Sequence, residues 1–393
     1  MSSKAKVEAI IYATEEPVTL NQLASLLKDT VLAELRRQGI DVPKRQAQQL
    51  VVRTAQDFEA FYGWQQAPAN EVPVEASDLL VMSCDSKGVR MLPGALREAT
   101  RKTALEERDR PRGDPMARRK ERTHDRRMAV VTAIWDQACH PRQAELIVDN
   151  LRPASQRVFD PKLSQMPRPK NKRVNATLTN DMPRAVADLF DEAERRDPTH
   201  ARRWVMLLDG ADEQRKAVEK EAQRRGVHVT IVMDLLHVLH YLWEAATALH
   251  PSDDEAAETW VRKYVGKVLT RPMEDVAAGL RQSATLRKLT GKAREAVDGC
   301  AAYLAERAPW LEYAAALKSG LPIASGVIEG ACRHLVQDRM GITGACWDLP
   351  MAEAVLRLRA LTSSGHWDAY VAFHLRCEQD RNLHIAHGIK QAA

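Results

Sequence analysis

The stretch from Trp204 to Met233 constrains the fold most. Trp204–Leu208 (WVMLL) is a short apolar run ending in Asp209-Gly210. Asp212–Arg225 carries a helical pattern, Gly226 stops it, and Val227–Met233 (VHVTIVM) is apolar again. Strand, acid, helix, strand is the pattern of a βαβ unit, so an α/β sheet is expected. Leu79–Cys84 is a further strand-like run with Asp85 at its end. Gly88 permits a turn there, and Val89–Leu92 reads as a returning hairpin strand. Arg127–Ala138 reads as the next strand. Met182–Arg196 predicts an amphipathic helix with Val186, Leu189, Phe190 and Ala193 inward. Asp234 opens a helix running through Leu249. Pro251–Trp310 is helical in composition, with breaks at Gly279 and Gly291.

The 393 residues leave room for two or three domains. With 45% hydrophobic and 28% charged residues the chain is globular rather than disordered. Residues 1–65 read as a small helical N-terminal domain. Thr19 would cap one helix, and Lys44–Trp64 would form another with Leu50, Thr54, Phe58 and Phe61 on one face. Short turns between such helices fit either a helix-turn-helix DNA reader or a plain helical packing domain. Residues 66–76 are a Pro-rich linker, and 77–237 hold the first part of the α/β core. Residues 238–318 are a helical insertion, 319–375 the C-terminal helices of the core, and 376–393 a tail.

The net charge of +5 tolerates an anionic partner. Arg101–Arg127 carries eleven Lys/Arg against six Asp/Glu and reads as an exposed basic loop, with or without a phosphate partner. Arg152–Arg173 reads as a second basic, Pro-containing connection. Six scattered cysteines show no zinc spacing and fit free thiols in a reducing cytosol. The N-terminus shows no signal peptide or membrane span, so a cytoplasmic protein is expected.

The chemistry concentrates in Ser319–Trp367. Glu329 sits among Gly326, Gly330 and Ala331, small neighbours that let another backbone or a ligand approach. Arg333, His334 and Arg339 follow as candidate phosphate contacts, with Lys44 and Arg45 near the N-terminus as further cations. Asp85 and Asp209 both follow apolar strands, and neighbouring strand ends bring such acids side by side. With Glu329 they make a candidate three-carboxylate site. Clustered acids repel, and a divalent cation removes that cost; oxygen-only ligands suit Mg²⁺ or Mn²⁺. Asp234 and His237, three residues apart, read as a hydrogen-bonded pair bracing the helix beside the site. The alternative is a zinc site of Asp234, His237 and His240, for which no fourth ligand is spaced to match.

Several stretches resemble the ISKra group of bacterial insertion-sequence transposases: VMLLDGADEQ, VMDLLHVLHYLWEAATALH, LPIASGVIEGACRHLVQDRMGITGACW, LRLRALTSSGHWDAY and PKRQAQQLVVRTAQDFEAFY. The resemblance runs from about Pro43 to about Arg381 and is strongest from Trp204 onward. It implies a DDE transposase with an RNase H-like mixed sheet, in which Asp85, Asp209 and Glu329 hold Mg²⁺ or Mn²⁺. It also implies that Asp234 and His237 match an Asp-x-x-His motif. The implied partners are transposon-end and target DNA, bound by a homodimer or larger oligomer at the nucleoid. Ser86 departs from the Gly that the resemblance expects after the first acid. Residues 1–26 look instead like the start of the chromosome-segregation protein B winged-helix domain. That leaves a reduced end-recognition region and predicts salt-sensitive binding to general DNA. A non-cutting DNA-binding relative, an RNase H-like nuclease and a metal-dependent small-molecule hydrolase that binds no DNA are the alternatives.

Overall fold

The computed structural model describes residues 44–64, 75, 78–108, 125–341 and 345–391. The expectations for residues 1–43, the linker at 66–74 and most of the basic loop lie outside them. Among the described residues no helix is long and apolar enough to cross a membrane.

Five strands form one mixed sheet: β1 (Leu79–Arg90), β2 (Arg126–Gln137), β3 (Lys170–Thr177), β4 (Trp204–Leu208) and β5 (Val229–Met233). The spatial order is β3-β2-β1-β4-β5. β1, β2 and β3 are antiparallel neighbours, whereas β4 joins β1 in parallel and β5 joins β4 in parallel. The central strands are apolar throughout; Leu80, Val81, Met82, Met206 and Leu207 are fully buried. Such continuous apolar runs mark strands covered on both faces.

Two strand expectations need correction. β1 is one uninterrupted strand of 12 residues, and Gly88 is not a turn. It pairs with Met128 inside the ladder, with Val89 and Arg90 still paired beyond it. A Cβ at Gly88 would lie 3.0 Å from the Arg126 side chain, so this glycine makes room across the strand pair. β3 was expected to be a basic connection. Its Val174 and Ala176 alternate inward, while Lys170, Lys172 and Arg173 stay at least partly exposed, a pattern suited to a sheet edge.

The described helices before the fourth strand are α1 (Lys44–Thr54), α2 (Phe58–Trp64), α3 (Glu98–Arg108), α4 (Ala144–Asn150) and α5 (Met182–Arg196). α5 packs against β1 and β2. Asp181 caps it by accepting from the Arg184 N–H at 3.0 Å. α6 (Asp212–Arg225) makes the crossover between β4 and β5, and Gly226 closes it at φ 67°.

An all-helical segment follows β5: α7 (Leu235–Leu249), α8 (Asp254–Thr270), α9 (Met273–Leu286), α10 (Gly291–Glu306) and α11 (Tyr313–Lys318). Gly279 does not break it, since α9 runs through that position; the interruption falls after Leu286. α12 (Gly326–Ala331) then returns to the sheet, against β1 and β2. A π-helical turn, Cys332–Gln337, continues it. α13 (Leu349–Ser363) and α14 (Trp367–Gln391) end the described chain. α14 continues through residue 376, where a tail was expected.

The expected single helix Lys44–Trp64 is split by a turn at Ala55–Asp57, and Leu50 faces solvent. Phe58 and Phe61 enter a small second core with Ala360, Leu361 and Tyr370. Arg381 holds Asp57 through two bonds of 2.9 and 2.7 Å, and the Tyr370 hydroxyl donates to the Thr54 carbonyl. The described part of the N-terminal region is therefore docked on α13 and α14.

Candidate functional site

Register brings the first two acids together. β1 and β4 pair with a constant offset, ending at Ser83 opposite Leu207. The same offset carried two residues further sets Asp85 beside Asp209, beyond the last paired position. Glu329 comes from α12. All three line one pocket of about 330 Å³, together with Lys87, Asp234, His237 and His240.

Each acid has a distinct setting. Asp85 Oδ1 accepts the Ser86 N–H at 2.6 Å. Its Oδ2 accepts the Cys332 thiol at 3.1 Å and lies 3.3 Å from Lys87 Nζ. Asp209 Oδ1 accepts the Ala211 N–H at 2.8 Å. The helical segment fixes the backbone there: the Tyr303 hydroxyl donates to the Asp209 carbonyl at 3.0 Å, and Arg307 donates to that of Gly210 at 2.9 Å. Gly210 has φ 97°, and a Cβ on it would lie 2.7 Å from the Tyr303 hydroxyl, so glycine is required. Glu329 is exposed, on a helix capped by the Ser325 hydroxyl at the Ile328 N–H, 3.2 Å away. The π-helical turn begins three residues later, and such turns recur at functional sites.

Asp234 braces the pocket. It is 5% exposed and caps α7 by accepting the Leu236 N–H at 2.8 Å, while its other oxygen accepts the Ser325 N–H at 3.0 Å. One carboxylate thus ties the helix after β5 to the turn that starts the Glu329 helix. Burial raises its pKa, and Glu329 adds to the rise, against the two backbone hydrogen bonds. The expected side-chain bond to His237 is not among those of the described residues; both Asp234 oxygens accept backbone N–H groups instead. His237 is exposed and lines the pocket. His240 lies 3.3 Å from Glu244.

The candidate phosphate contacts divide. Arg333 is exposed at the pocket-bearing helix, 3.6 Å from Asp338. His334 lies 3.1 Å from Asp338, and its carbonyl accepts from Arg359. Arg339 turns inward, its guanidinium 4.6 Å from the Trp347 ring centre. Burial lowers its pKa. Arg45 is exposed on α1; the Lys44 side chain lies outside the described residues.

The pocket's donor chemistry suits a hard divalent cation. Among the described residues nothing donates to Asp209 Oδ2 or to the Glu329 carboxylate, so oxygen acceptors from two elements remain open beside Asp85. Oxygen-only donors favour Mg²⁺ or Mn²⁺. The three acids are spread too widely to bring all their ligand atoms within 4.8 Å. The group of described residues that is so close is Asp57, His374 and Glu378. There Arg381 and Arg53 already neutralise the carboxylates. Among the described residues Asp234, His237 and His240 do not form a group of that closeness either.

Sequence reasoning missed Lys87, Cys332, Ser325 and Tyr303. Ser325 and Cys332 flank Glu329 closely enough to be read with it, but nothing in the sequence pairs Cys332 with Asp85. Comparison with protein-family models, with curated proteins and with solved structures returns no match to this chain.

Proposed function

We propose that this chain is a DDE-type transposase with an RNase H-like catalytic core, cutting DNA at the ends of a mobile element and joining them to target DNA. One observation carries the reading: Asp85 on β1, Asp209 just past the end of the parallel neighbour β4, and Glu329 on a distant helix line one pocket. The strand order β3-β2-β1-β4-β5, with three antiparallel strands followed by two parallel ones, agrees with the core that the resemblance implies.

Asp85, Asp209 and Glu329 would hold Mg²⁺ or Mn²⁺, which supplies a nucleophile at neutral pH and stabilises the leaving oxygen. The residues divide the remaining tasks. Asp85 is held from three sides, by Ser86, Lys87 and Cys332, and gives the site a fixed point. Glu329 is the exposed acid and meets the nucleic acid. Arg333, exposed one turn further, offers a cation to the phosphodiester backbone. In the first reaction water displaces a 3′ oxygen from phosphorus and frees a 3′-hydroxyl. In the second that 3′-hydroxyl attacks a target phosphorus, forming a new phosphodiester and displacing the target strand's own 3′ oxygen, which leaves as a 3′-hydroxyl.

The test is a supercoiled-plasmid assay with Mg²⁺ on substrates carrying the element's ends. Wild-type protein is expected to nick and join. Glu329→Gln removes one open carboxylate from an exposed position, so it should abolish both reactions and keep the fold and DNA binding. Wild-type cutting by this variant removes Glu329 from the site.

A further inference from the structure

Among the described residues Lys87 is the one Lys or Arg side chain lining the acid pocket, against four carboxylates: Asp85, Asp209, Asp234 and Glu329. It stands two residues beyond Asp85 on the same strand and so on the same sheet face. Its Nζ lies 3.3 Å from Asp85 Oδ2, with the side chain 37% exposed. Among the described residues its one ion-pair partner is Asp85. It is thus anchored at a single point on a flexible four-carbon stem, part exposed at the pocket's lining.

We propose that Lys87 is the resident counter-ion of this pocket, neutralising Asp85 until a divalent cation takes that carboxylate and then turning to the phosphate of bound DNA. The inference rests on the metal-binding reading above. The physical argument is competition. A divalent cation on Asp85 would meet an ammonium already within ion-pair distance, and like charges that close repel strongly where water is partly excluded. Metal binding without DNA therefore includes displacement of Lys87. A freed ammonium at the mouth of the pocket offers an incoming phosphodiester a compact point charge. DNA and metal then favour each other's binding, since each relieves a conflict that the other leaves.

The experiment is calorimetric titration of the full chain with Mn²⁺ in the absence of DNA, for wild type, Lys87→Met, Lys87→Gln, Lys87→Arg and Asp209→Asn. Circular dichroism checks the fold of each, and the two neutral variants back each other up. Both neutral variants are expected to bind Mn²⁺ about tenfold more tightly than wild type, the size of one moderate like-charge repulsion at a half-exposed site. Lys87→Arg is expected to match wild type. In a filter-binding assay with Ca²⁺ present, Lys87→Met should lose DNA affinity by several-fold. If Asp209→Asn abolishes Mn²⁺ binding but the neutral Lys87 variants bind no more tightly than wild type, the counter-ion role is refuted and the metal site stands. If Mn²⁺ binding is indifferent to Asp209→Asn, the metal reading falls and the role of Lys87 falls with it.

Discussion

Replacing Asp234 with alanine should destabilise the fold and loosen the Glu329 helix together. Two terms set the size. The first is loss of the cap on α7, where the carboxylate accepts the Leu236 N–H; cap removal costs about 1 kcal/mol. The second is the Ser325 N–H, whose residue is 1% exposed; stranding such a donor costs about 1–3 kcal/mol. Relief from burying a carboxyl whose pKa is raised by that burial offsets part of the sum. A net loss of about 2–3 kcal/mol follows. Asp234→Asn keeps one carbonyl oxygen for one of the two donors and should lose about half as much. Urea denaturation of wild type, Asp234→Ala, Asp234→Asn and Glu329→Gln reads the order directly, with Glu329→Gln unchanged as the control. A shift below about 0.5 kcal/mol for Asp234→Ala, within the range of ordinary surface substitutions, would refute the brace.

Gly320→Ala should lower the melting temperature, because φ is 72° and the new Cβ would lie 2.7 Å from the His140 backbone nitrogen; a loss above about 1 kcal/mol is expected by thermal denaturation, from strain and clash together. His366 should give the protein an acid-sensitive step between pH 6.5 and 4. Burial first, then Arg173 and Arg196, lower its pKa to about 4, so the folded state holds a neutral ring where the unfolded chain binds a proton. The stability this gives is complete above pH 6.5 and is lost as pH falls toward 4. The full shift corresponds to roughly 3 kcal/mol, reduced to about 1–2 by the ring's partial solvent contact. His366→Gln should flatten that part of the profile in denaturation curves at pH 7 and 4.5.

The elements legible in the sequence are those whose pattern and punctuation agree. α5 has an inward stripe and an Asp181 cap, and α6 ends at a glycine in the left-handed region; both fall where periodicity puts them. β4 is a five-residue apolar run that could hardly be anything else in a βαβ unit. β3 was hidden because three cations, Lys170, Lys172 and Arg173, make this edge strand look like a loop. Arg173 in fact pairs with Glu192 and stacks 3.6 Å from the Tyr62 ring centre. Neither contact leaves a trace in local sequence. The split between α1 and α2 was hidden for the opposite reason: the helical pattern continues through Ala55–Asp57, but Asp57 is drawn to Arg381 on α14.

The same limit governs the site. Two acids after apolar runs are visible in the sequence and read together as strand ends; the residue-level register that sets one opposite the other is not, because it is a property of the paired strands alone. Lys87 shows how one misread backbone conformation conceals a functional side chain. With a turn at Gly88, Lys87 belongs to a hairpin tip and points to no particular face. With β1 continuous, it belongs to the row Ser83, Asp85, Lys87, all of which line the pocket. β1 runs through Gly88 because its ladder with β2 is unbroken from Leu79 to Arg90, and the Arg126 side chain on the opposite strand would crowd any Cβ there. A glycine read as freedom of the backbone is here a demand for space, on a strand that runs on past the acids and takes Lys87 with it.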